Sequence, residues 1–302
     1  LAIRARPDSA DGSTIRINGD VVEVGKSVSS KTARRVAVVI SLIVGVIFGS
    51  QFNANWSEIL LMFNAQSFGT TDPQFGLDNG FYVFVLPGLK LVLAAVAMLL
   101  GVGLVFSVVT HVLMGGIRIT MPVNGRGLFS ITKRCRRQLG IWLMLNMFAW
   151  AVRQMIGVFD QLTVQGSRIT GASYTAVHAN IPVTFIMAVL TAILGVVLGI
   201  WLMRSHTLEG QASIGVRASA ALKAWRVPVT SIAVVVVVGL VLTVAWPVLL
   251  QRFRVNPNAQ EMESTYIQRN IDATRAAYGL DKLKTEQYKV TDKGEQGALA
   301  KE

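Results

Sequence analysis

Long apolar runs separated by blocks of charge constrain this chain more than any other feature. A helix needs about 20 consecutive apolar residues to cross roughly 30 Å of hydrocarbon, where its backbone polar groups must be satisfied internally. The runs that qualify cover about 36–52, 89–114, 141–159, 181–203 and 229–250. Pro182 and Pro228 each stand where a run begins, a position typical of helix starts. We therefore predict an all-α integral membrane helix bundle with five transmembrane helices, the first of them short.

The composition supports a membrane protein. Charged residues make up 15% of the chain and apolar residues 52%, whereas a soluble domain carries about 25% charge. The net charge of +12 comes from basic residues that lie between the apolar runs. Because their placement follows the membrane topology, we do not expect nucleic acid to be a partner.

The basic residues collect in alternate connections between the runs, which is typical of cytoplasmic loops. Three connections carry them: Lys26, Lys31, Arg34 and Arg35, then Arg118, Arg126, Lys133, Arg134, Arg136 and Arg137, then Arg204, Arg217, Lys223 and Arg226. Residues 51–80 have none, and residues 160–180 have only Arg168. We therefore predict a multi-pass protein of the cell (plasma) membrane with residues 1–35 cytoplasmic, a bundle over 36–250, and residues 251–302 extracytoplasmic.

Two segments outside the runs have patterns of secondary structure. Residues 14–24 alternate around Asn18-Gly19, which indicates a β-hairpin with a type I′ turn. Residues 53–87 read as an elbow at the outer surface, in which Pro87 separates the apolar run 81–86 from the second span.

The segment after the last run has helical spacing. Asn258 and Glu261 resemble a helix N-cap and its capping-box partner, and Gly279 is a plausible stop. We predict an amphipathic helix of about 20 residues, followed by the start of a soluble domain over 282–293. The mixed charge of this amphipathic helix favours packing on the next domain, with binding to the membrane surface as the alternative.

Few polar side chains lie within the runs. The intramembrane polar candidates are Arg153, Gln154, Asn146 and His111. Arg153 either reaches the interface or pairs with Asp160 or Glu58, or else it lines an ion or substrate pathway. Asn146 and His111 are explained by hydrogen bonds between helices. The runs contain no Asp or Glu, which argues against ion-coupled transport.

Small residues and a basic cluster are the other features of the runs and their edges. Gly45 and Gly49, and likewise Gly195 and Gly199, form GxxxG pairs that favour helix packing within the bundle, with homodimerisation as the alternative. The basic residues at the start of the third run are topology determinants and candidate contacts for anionic lipid headgroups. These are Lys133, Arg134, Arg136 and Arg137.

The sequence has no pattern of a catalytic or metal site. It lacks the GxxxxGK[ST], HExxH and GxSxG motifs. The three histidines, His111, His178 and His206, fall in a run, an outer loop and an inner loop, so they cannot form one site with the single cysteine, Cys135. We predict no cofactor and no metal, and catalysis only if an active site lies in a part of the protein outside this chain.

Three strings together resemble Uncharacterised Protein Family 0182, large multipass membrane proteins found mainly in actinobacteria. They are DPQFGLDNGFYVFVLP (72–87), GASYTAVHA (171–179) and RFRVNPNAQEMESTYIQRNIDATRAAYGLD (252–281). Gly115-Gly116-Ile117-Arg118 also fits. The resemblance implies about two further spans upstream, making seven, and a large extracytoplasmic domain downstream. The chain would then be an internal piece of a longer protein, which agrees with its first residue being Leu1. The resemblance implies an architecture and no mechanism.

The favoured function is a multipass membrane anchor and assembly module. It would hold an extracytoplasmic domain and partner proteins at the cell envelope, with no catalysis in this chain. The first alternative is a transporter or channel for a lipid, an envelope precursor or an ion, using a polar path near Arg153. The second is the membrane part of an enzyme whose active site lies in a downstream domain. The expected partners are membrane lipids and either another protein or the protein's own downstream domain.

Overall fold

The computed structural model describes residues 14–17, 20–23, 30–114, 116–119, 129–164, 171–205, 214–280 and 283. Its helices are α1 (Ser30–Ala54), α2 (Trp56–Phe63), α3 (Leu86–Leu113), α4 (Lys133–Gly157), α5 (Ile181–Arg204), α6 (Ile214–Leu240), α7 (Trp246–Leu249) and α8 (Ala259–Ala277). Its strands form two antiparallel pairs, β1 (Thr14–Ile17) with β2 (Asp20–Glu23), and β3 (Ile117–Ile119) with β4 (Phe129–Ile131). The described chain is therefore predominantly helical.

Within the described residues, four helical stretches are long and apolar enough to cross a membrane, not the five predicted. They are Phe81–Val112, Lys133–Leu162, Ala176–Arg204 and Trp225–Val255. The first contains α3, the second α4 and the third α5, and the last span joins most of α6 to α7. These stretches support a membrane location for the chain.

The predicted first span, 36–52, lies in α1 and is not among the four. Its uninterrupted apolar part starts only after Arg35 and ends before Gln51, so it is shorter than the roughly 20 residues of a typical crossing. Leu42 and Val46 in this helix are exposed. The helix is present where the pattern places it, and α1 is not among the membrane-length apolar stretches of the described residues.

Among the described residues, four π-helical turns each lead into a proline. Phe81–Val85 precedes Pro87, Ala176–Asn180 precedes Pro182, Val241–Ala245 precedes Pro247, and Leu250–Val255 precedes Pro257. A proline ring clashes with the carbonyl four residues before it and cannot donate to it. In each case that residue lies in the π-turn, where the wider turn accommodates the ring. The helix therefore continues past Pro87, and the predicted separation of 81–86 from the second span is wrong.

Pro228 lies inside α6, which begins at Ile214, so the prediction that it starts a helix is also wrong. Pro228 lacks the N–H that would donate to the Ala224 carbonyl, and transmembrane helices tolerate such an internal proline. In the following turn, the Ser231 hydroxyl donates to the Pro228 carbonyl at 3.1 Å, and the Thr230 hydroxyl donates to the Arg226 carbonyl at 2.6 Å.

The bundle is built around α4, which packs against α3 on one side and α5 on the other. Glycines allow α4 and α5 to approach closely. A Cβ atom on Gly199 would lie 2.2 Å from Cγ of Met144 and 2.9 Å from the Gly140 carbonyl oxygen, and one on Gly195 would lie 2.4 Å from Cβ of Met147. Gly195 and Gly199 thus lie at a helix interface within this chain.

The other predicted packing pair has different surroundings. A Cβ atom on Gly45 or Gly49 of α1 would meet nothing within 4 Å. The same GxxxG spacing therefore lies at a close helix contact in α5 and in open space in α1.

The end of the bundle that carries β3 and β4 contains a small apolar core. Ile117, Ile131, Cys135 and Leu139 are buried together, with Leu104 and Leu202 packed against them. At the N-terminal end of the described residues, β1 and β2 pair as an antiparallel hairpin with Ile15 opposite Val22. The Asn18-Gly19 turn of that hairpin lies outside the described residues.

Helix α8 begins directly after Asn258, and Gly279 follows two residues past its end with φ of 67°. The positive φ is the conformation that favours glycine at a helix stop. The predicted capping-box geometry is absent, because the Asn258 side chain makes no capping hydrogen bond. The predicted start of a soluble domain, 282–293, lies outside the described residues except for Leu283.

Candidate functional site

Segments distant in the sequence meet at one end of the bundle. We call this end the cap and define it as residues 64–80, 158–164, 171–180 and 250–270. The Lys90 ammonium group at the start of α3 lies 2.8 Å from the Asp160 carboxylate just beyond α4. The Thr175 hydroxyl donates to the Gln251 side chain across 76 residues of sequence. The cap is therefore one structure assembled from four segments.

Two aspartates organise the loop 64–80. The Asp72 carboxylate accepts hydrogen bonds from the backbone N–H groups of Gln74, Phe75 and Leu77 and from the Tyr82 hydroxyl, at 2.6–2.9 Å. Burial raises the pKa of Asp72, but these donors outweigh burial and leave that pKa below its ordinary value of 3.8. Asp72 is therefore ionised at neutral pH and holds the turn by its charge.

Asp78 closes the same loop from the other side. Its carboxylate accepts from the Ser67 hydroxyl and from the backbone N–H groups of Phe68, Gly69 and Gly80. These hydrogen bonds, that from Ser67 first, lower the pKa of Asp78 to about 2. The two carboxylates give the loop a defined shape without a regular secondary structure.

Aromatic rings attach this loop to the end of α4. The ring of Phe159 makes edge contacts with Phe75 at 5.0 Å, Phe81 at 5.3 Å and Tyr82 at 6.4 Å between centroids. Such edge-to-face pairs add to the stabilisation from burial alone. The loop therefore has a fixed position against the bundle.

The first half of α8 packs on the segment 171–178. The Tyr174 backbone N–H donates to Oε2 of Glu263 at 3.1 Å, and Glu263 is only 7% exposed. The Tyr174 ring stacks on His178 at 4.0 Å and meets Tyr266 edge-on at 6.3 Å. Burial raises the pKa of the Tyr266 phenol, which therefore stays neutral at physiological pH.

The second half of α8 has no such cover among the described residues. Ile271 is 43% exposed and Tyr278 is 77% exposed, and Leu280 and Leu283 beyond the helix are exposed as well. One helix thus has an end held on the cap and an end whose apolar side chains face outward.

An open recess of about 470 Å³ lies between the end of the last span and the start of α5. Its lining is formed by Thr175, Asn180, Pro247, Val248, Gln251, Arg252 and Asn256. Arginine is the one charged residue in this lining, so the recess has a positive local charge.

The predicted intramembrane polar residues are used in separate places. Asn146 of α4 donates to the Leu100 carbonyl of α3 at 3.0 Å. Gln154, two turns further along α4, donates to the Thr191 hydroxyl of α5 at 3.2 Å. The Arg153 side chain is exposed on the bundle surface.

His111 lies at the opposite end of the bundle from the cap. It is 1% exposed, and its Nε2 atom lies 3.2 Å from the Gln138 side chain, whose amide donates to the Ser107 hydroxyl at 3.1 Å. Together with the separate contacts of Asn146 and Gln154, this placement means that the four candidates do not converge on one site.

The predicted lipid-contacting cluster divides into exposed and buried members. Lys133, Arg134 and Arg137 in the first turns of α4 are exposed, whereas Arg136 is 1% exposed. Cys135 is fully buried in the apolar core beside them. Among the described residues, no three His, Cys, Asp or Glu side chains come together to hold a metal ion.

Comparison with known proteins assigns this architecture to a family. The model of the uncharacterised protein family UPF0182 matches residues 2–302. The chain belongs to the UPF0182 family. A UPF0182 protein of Bifidobacterium adolescentis is 79% identical over 99% of this chain, and one of Corynebacterium efficiens is 31% identical over 93%. No solved structure matches the UPF0182 chain.

The UPF0182 chain spans only part of the length of these relatives. It covers 28% of the Bifidobacterium protein and 26% of the Corynebacterium efficiens protein. The description of the family and of these relatives names no activity.

The cap is the feature that sequence reasoning missed. The three strings that resemble the UPF0182 family, 72–87, 171–179 and 252–281, were assigned to the same side of the membrane, but no pattern within them showed that they touch. The available signal was the turn-forming residues Asp72-Pro73 and Asp78-Asn79-Gly80 within the elbow. The partners of Phe159 and Glu263 could not be read from spacing, because they lie many residues away.

Proposed function

We propose that this chain is a multipass membrane anchor and assembly module that holds an extracytoplasmic domain, and through it partner proteins, at the cell envelope. The observation that carries the proposal is the division of α8. Glu263 and Tyr266 hold its first half on the cap, while Ile271 in its second half and Tyr278 directly after the helix are exposed. Such a helix can couple the bundle rigidly to a folded part that packs on its free end.

The surface of the free end favours a protein over a lipid as its cover. Asp272 and Arg275 lie in the same half of α8 as the exposed Ile271, whereas lipid-surface helices carry a predominantly basic polar face. The chain covers 28% of the length of its Bifidobacterium relative, and the cover in this proposal is the extracytoplasmic domain that the family resemblance implies downstream. Contiguous exposed apolar residues of this kind are typical of an interface.

The hydrogen bonds inside the bundle support an anchor over a polar pathway. Asn146 and Gln154 are each used to join α4 to a different neighbouring helix. Polar side chains in such positions contribute on the order of 0.6 kcal/mol each to helix association in a membrane. Their contacts are those of a packed bundle.

The orientation in this proposal follows from the charge pattern. The spans end at Val112 and Arg204, and begin at Lys133 and Trp225, on the side opposite the cap, and the sequence between these ends is basic. Short basic loops stay in the cytoplasm, so the cap and α8 face the outside of the plasma membrane.

Labelling of substituted cysteines tests the orientation. Cys135 is fully buried, so the native thiol gives little background. Asp272→Cys in intact cells should react with a membrane-impermeant maleimide, whereas Lys133→Cys, also exposed but at the other end, should react only after permeabilisation. The reverse pattern of labelling would contradict the orientation.

Hydrogen exchange tests the coupling through α8. In the full-length protein in mild detergent, the backbone amides of 267–280 should exchange at least about tenfold more slowly than in the 302-residue chain, because the packed cover must open first. Ile271→Glu should remove this protection in the full-length protein, since it places a charge in the apolar contact.

Ala276→Glu is the matched control. It adds the same charge at an exposed position about 140° away around the helix, and it should leave the protection unchanged. Equal exchange of 267–280 in the full-length protein and in the shorter chain would refute the docking role, because nothing would then cover the helix end.

A further inference from the structure

The recess between the last span and α5 has the layout of a binding site. Its floor is formed by side chains whose mutual hydrogen bonds fix their positions. The Thr175 hydroxyl donates to the side-chain oxygen Oε1 of Gln251, and the side-chain nitrogen Nε2 of Gln251 donates to Oδ1 of Asn256 at 3.0 Å. Both ends of the Gln251 amide are used, and the Asn256 oxygen is an acceptor in this chain. The Asn256 Nδ2 group therefore remains as a donor at the rim.

The charge at the rim favours an anion. Arg252 is exposed and lines the recess together with neutral residues only. Among the residues that the structure describes, the ion pair present joins Lys90 to Asp160, so no described carboxylate pairs with the Arg252 guanidinium. Glu263, behind the neighbouring segment, accepts from the Tyr174 backbone and does not line the recess.

Below the rim the last span provides an apolar track. Val241, Val244 and Val248 follow at spacings of three and four, and all three are exposed. We call these three residues the valine stripe. Val248 and Pro247 also form the apolar wall of the recess. On the rim side, the exposed rings of Trp246 and Phe253 are of the type that lies at a membrane interface. The Arg252 guanidinium thus lies at the water-facing end of the valine stripe.

We propose that this recess binds the phosphodiester headgroup of an anionic phospholipid from the leaflet at the cap end. The Arg252 guanidinium donates to two phosphate oxygens, which suits its planar fork. The Asn256 Nδ2 group donates to a third oxygen or a headgroup hydroxyl. The first methylenes contact Pro247 and Val248, and an acyl chain lies along the valine stripe.

The site is distinct from the exposed basic residues at the start of α4, which lie at the other end of the bundle. It also does not depend on the docking role of α8, since the lining residues precede that helix. A bound lipid at this position would join the last span to the start of α5, two elements that otherwise meet near the cap mainly through Thr175 and Gln251.

Native mass spectrometry of the full-length protein tests the proposal. The protein is taken from nanodiscs of phosphatidylcholine that contain phosphatidylglycerol, and the retained lipid is identified. The protein should retain phosphatidylglycerol in preference to phosphatidylcholine. Arg252→Gln should lower that retention by about tenfold or more, the usual effect of losing a charge-assisted hydrogen bond.

Arg254→Gln is the matched control. It removes the same charge from an exposed position two residues away that does not line the recess, and retention should stay unchanged. Asn256→Asp is an independent variant that keeps the acceptor for Gln251 while adding a negative charge to the rim, and it should lower retention as well.

Three results would overturn the proposal. Equal loss in Arg252→Gln and Arg254→Gln would mean that only the general surface charge matters. Equal retention of the two lipids would mean that the recess does not select an anion. Displacement of the lipid by inorganic phosphate alone would identify a soluble anion as the ligand, because the acyl chain would then contribute nothing.

Discussion

Gly199→Ala should destabilise the bundle through the contact between α4 and α5. The added Cβ atom would lie 2.2 Å from Cγ of Met144, 2.5 Å from its Sδ atom and 2.9 Å from the Gly140 carbonyl oxygen. Optimal separations between such carbon atoms are about 3.5–4.0 Å, so one helix must shift or Met144 must change its rotamer. The backbone oxygen of Gly140 cannot move without the helix itself.

The size of the effect follows from this geometry. Overpacking of a close contact costs about 1–3 kcal/mol, partly offset by the better helix propensity of alanine, about 1 kcal/mol. For a chain of this size, 1 kcal/mol corresponds to roughly 2–4 °C in Tm. We therefore expect Gly199→Ala to lower the Tm by several degrees, measured in mild detergent by size-exclusion chromatography after heating.

Gly49→Ala is the internal control, because it makes the same change in the same GxxxG spacing. A Cβ atom there meets nothing within 4 Å, so the Tm should stay unchanged or rise. Met144→Ala combined with Gly199→Ala should recover part of the loss, since the double variant removes one of the two clashing groups. A Tm for Gly199→Ala equal to or above that of Gly49→Ala would refute the assignment of Gly199 to a close helix contact.

Three further substitutions test the cap, each followed by Tm in the same detergent. Asp72→Asn should lower the Tm at neutral pH and remove the acid dependence of the Tm. The pKa of Asp72 is lowered in the folded protein. The stabilisation from Asp72 is therefore complete above the ordinary pKa near 4 and is lost as the pH falls through the lowered pKa. Unchanged acid dependence in this variant would assign the effect to another group. Gly80→Ala should cost about 1–3 kcal/mol, because its Cβ would lie 2.1 Å from the Gln66 carbonyl oxygen; a variant as stable as the parent would show that the loop can shift. Lys90→Met should change stability by less than about 1 kcal/mol, as expected for a partly exposed ion pair with Asp160, and a larger loss would indicate that this pair holds the cap together.

The location of the helices could be read from local pattern. Apolar runs long enough for a crossing coincide with the four membrane-length helices, and Asn258 and Gly279 bracket α8. These features depend on residues close together in the chain, so no tertiary knowledge was needed. The same local rules failed at Pro228, because a transmembrane helix tolerates an internal proline that would otherwise mark a start.

The candidate site could be predicted only in part. The charge pattern assigned three outer segments to one side, and turn-forming residues marked the elbow over 53–87. Neither signal could show that Phe159 would be the centre of the aromatic contacts or that Glu263 would be buried against Tyr174. Each of these contacts joins segments separated by roughly 80 residues or more, and spacing within a segment carries no information about them.

Hydropathy and charge are properties of single residues summed along the chain. From the sequence alone they determined that the protein has apolar helices long enough to cross a membrane, separated by alternating basic segments. Tertiary structure alone decided which of two identical GxxxG pairs is a contact, that Arg136 is buried while Lys133 is exposed, and that four segments form one cap. The reason is physical: a helix in lipid can turn any face towards its neighbours, and only the packing of all helices together selects the face that is covered.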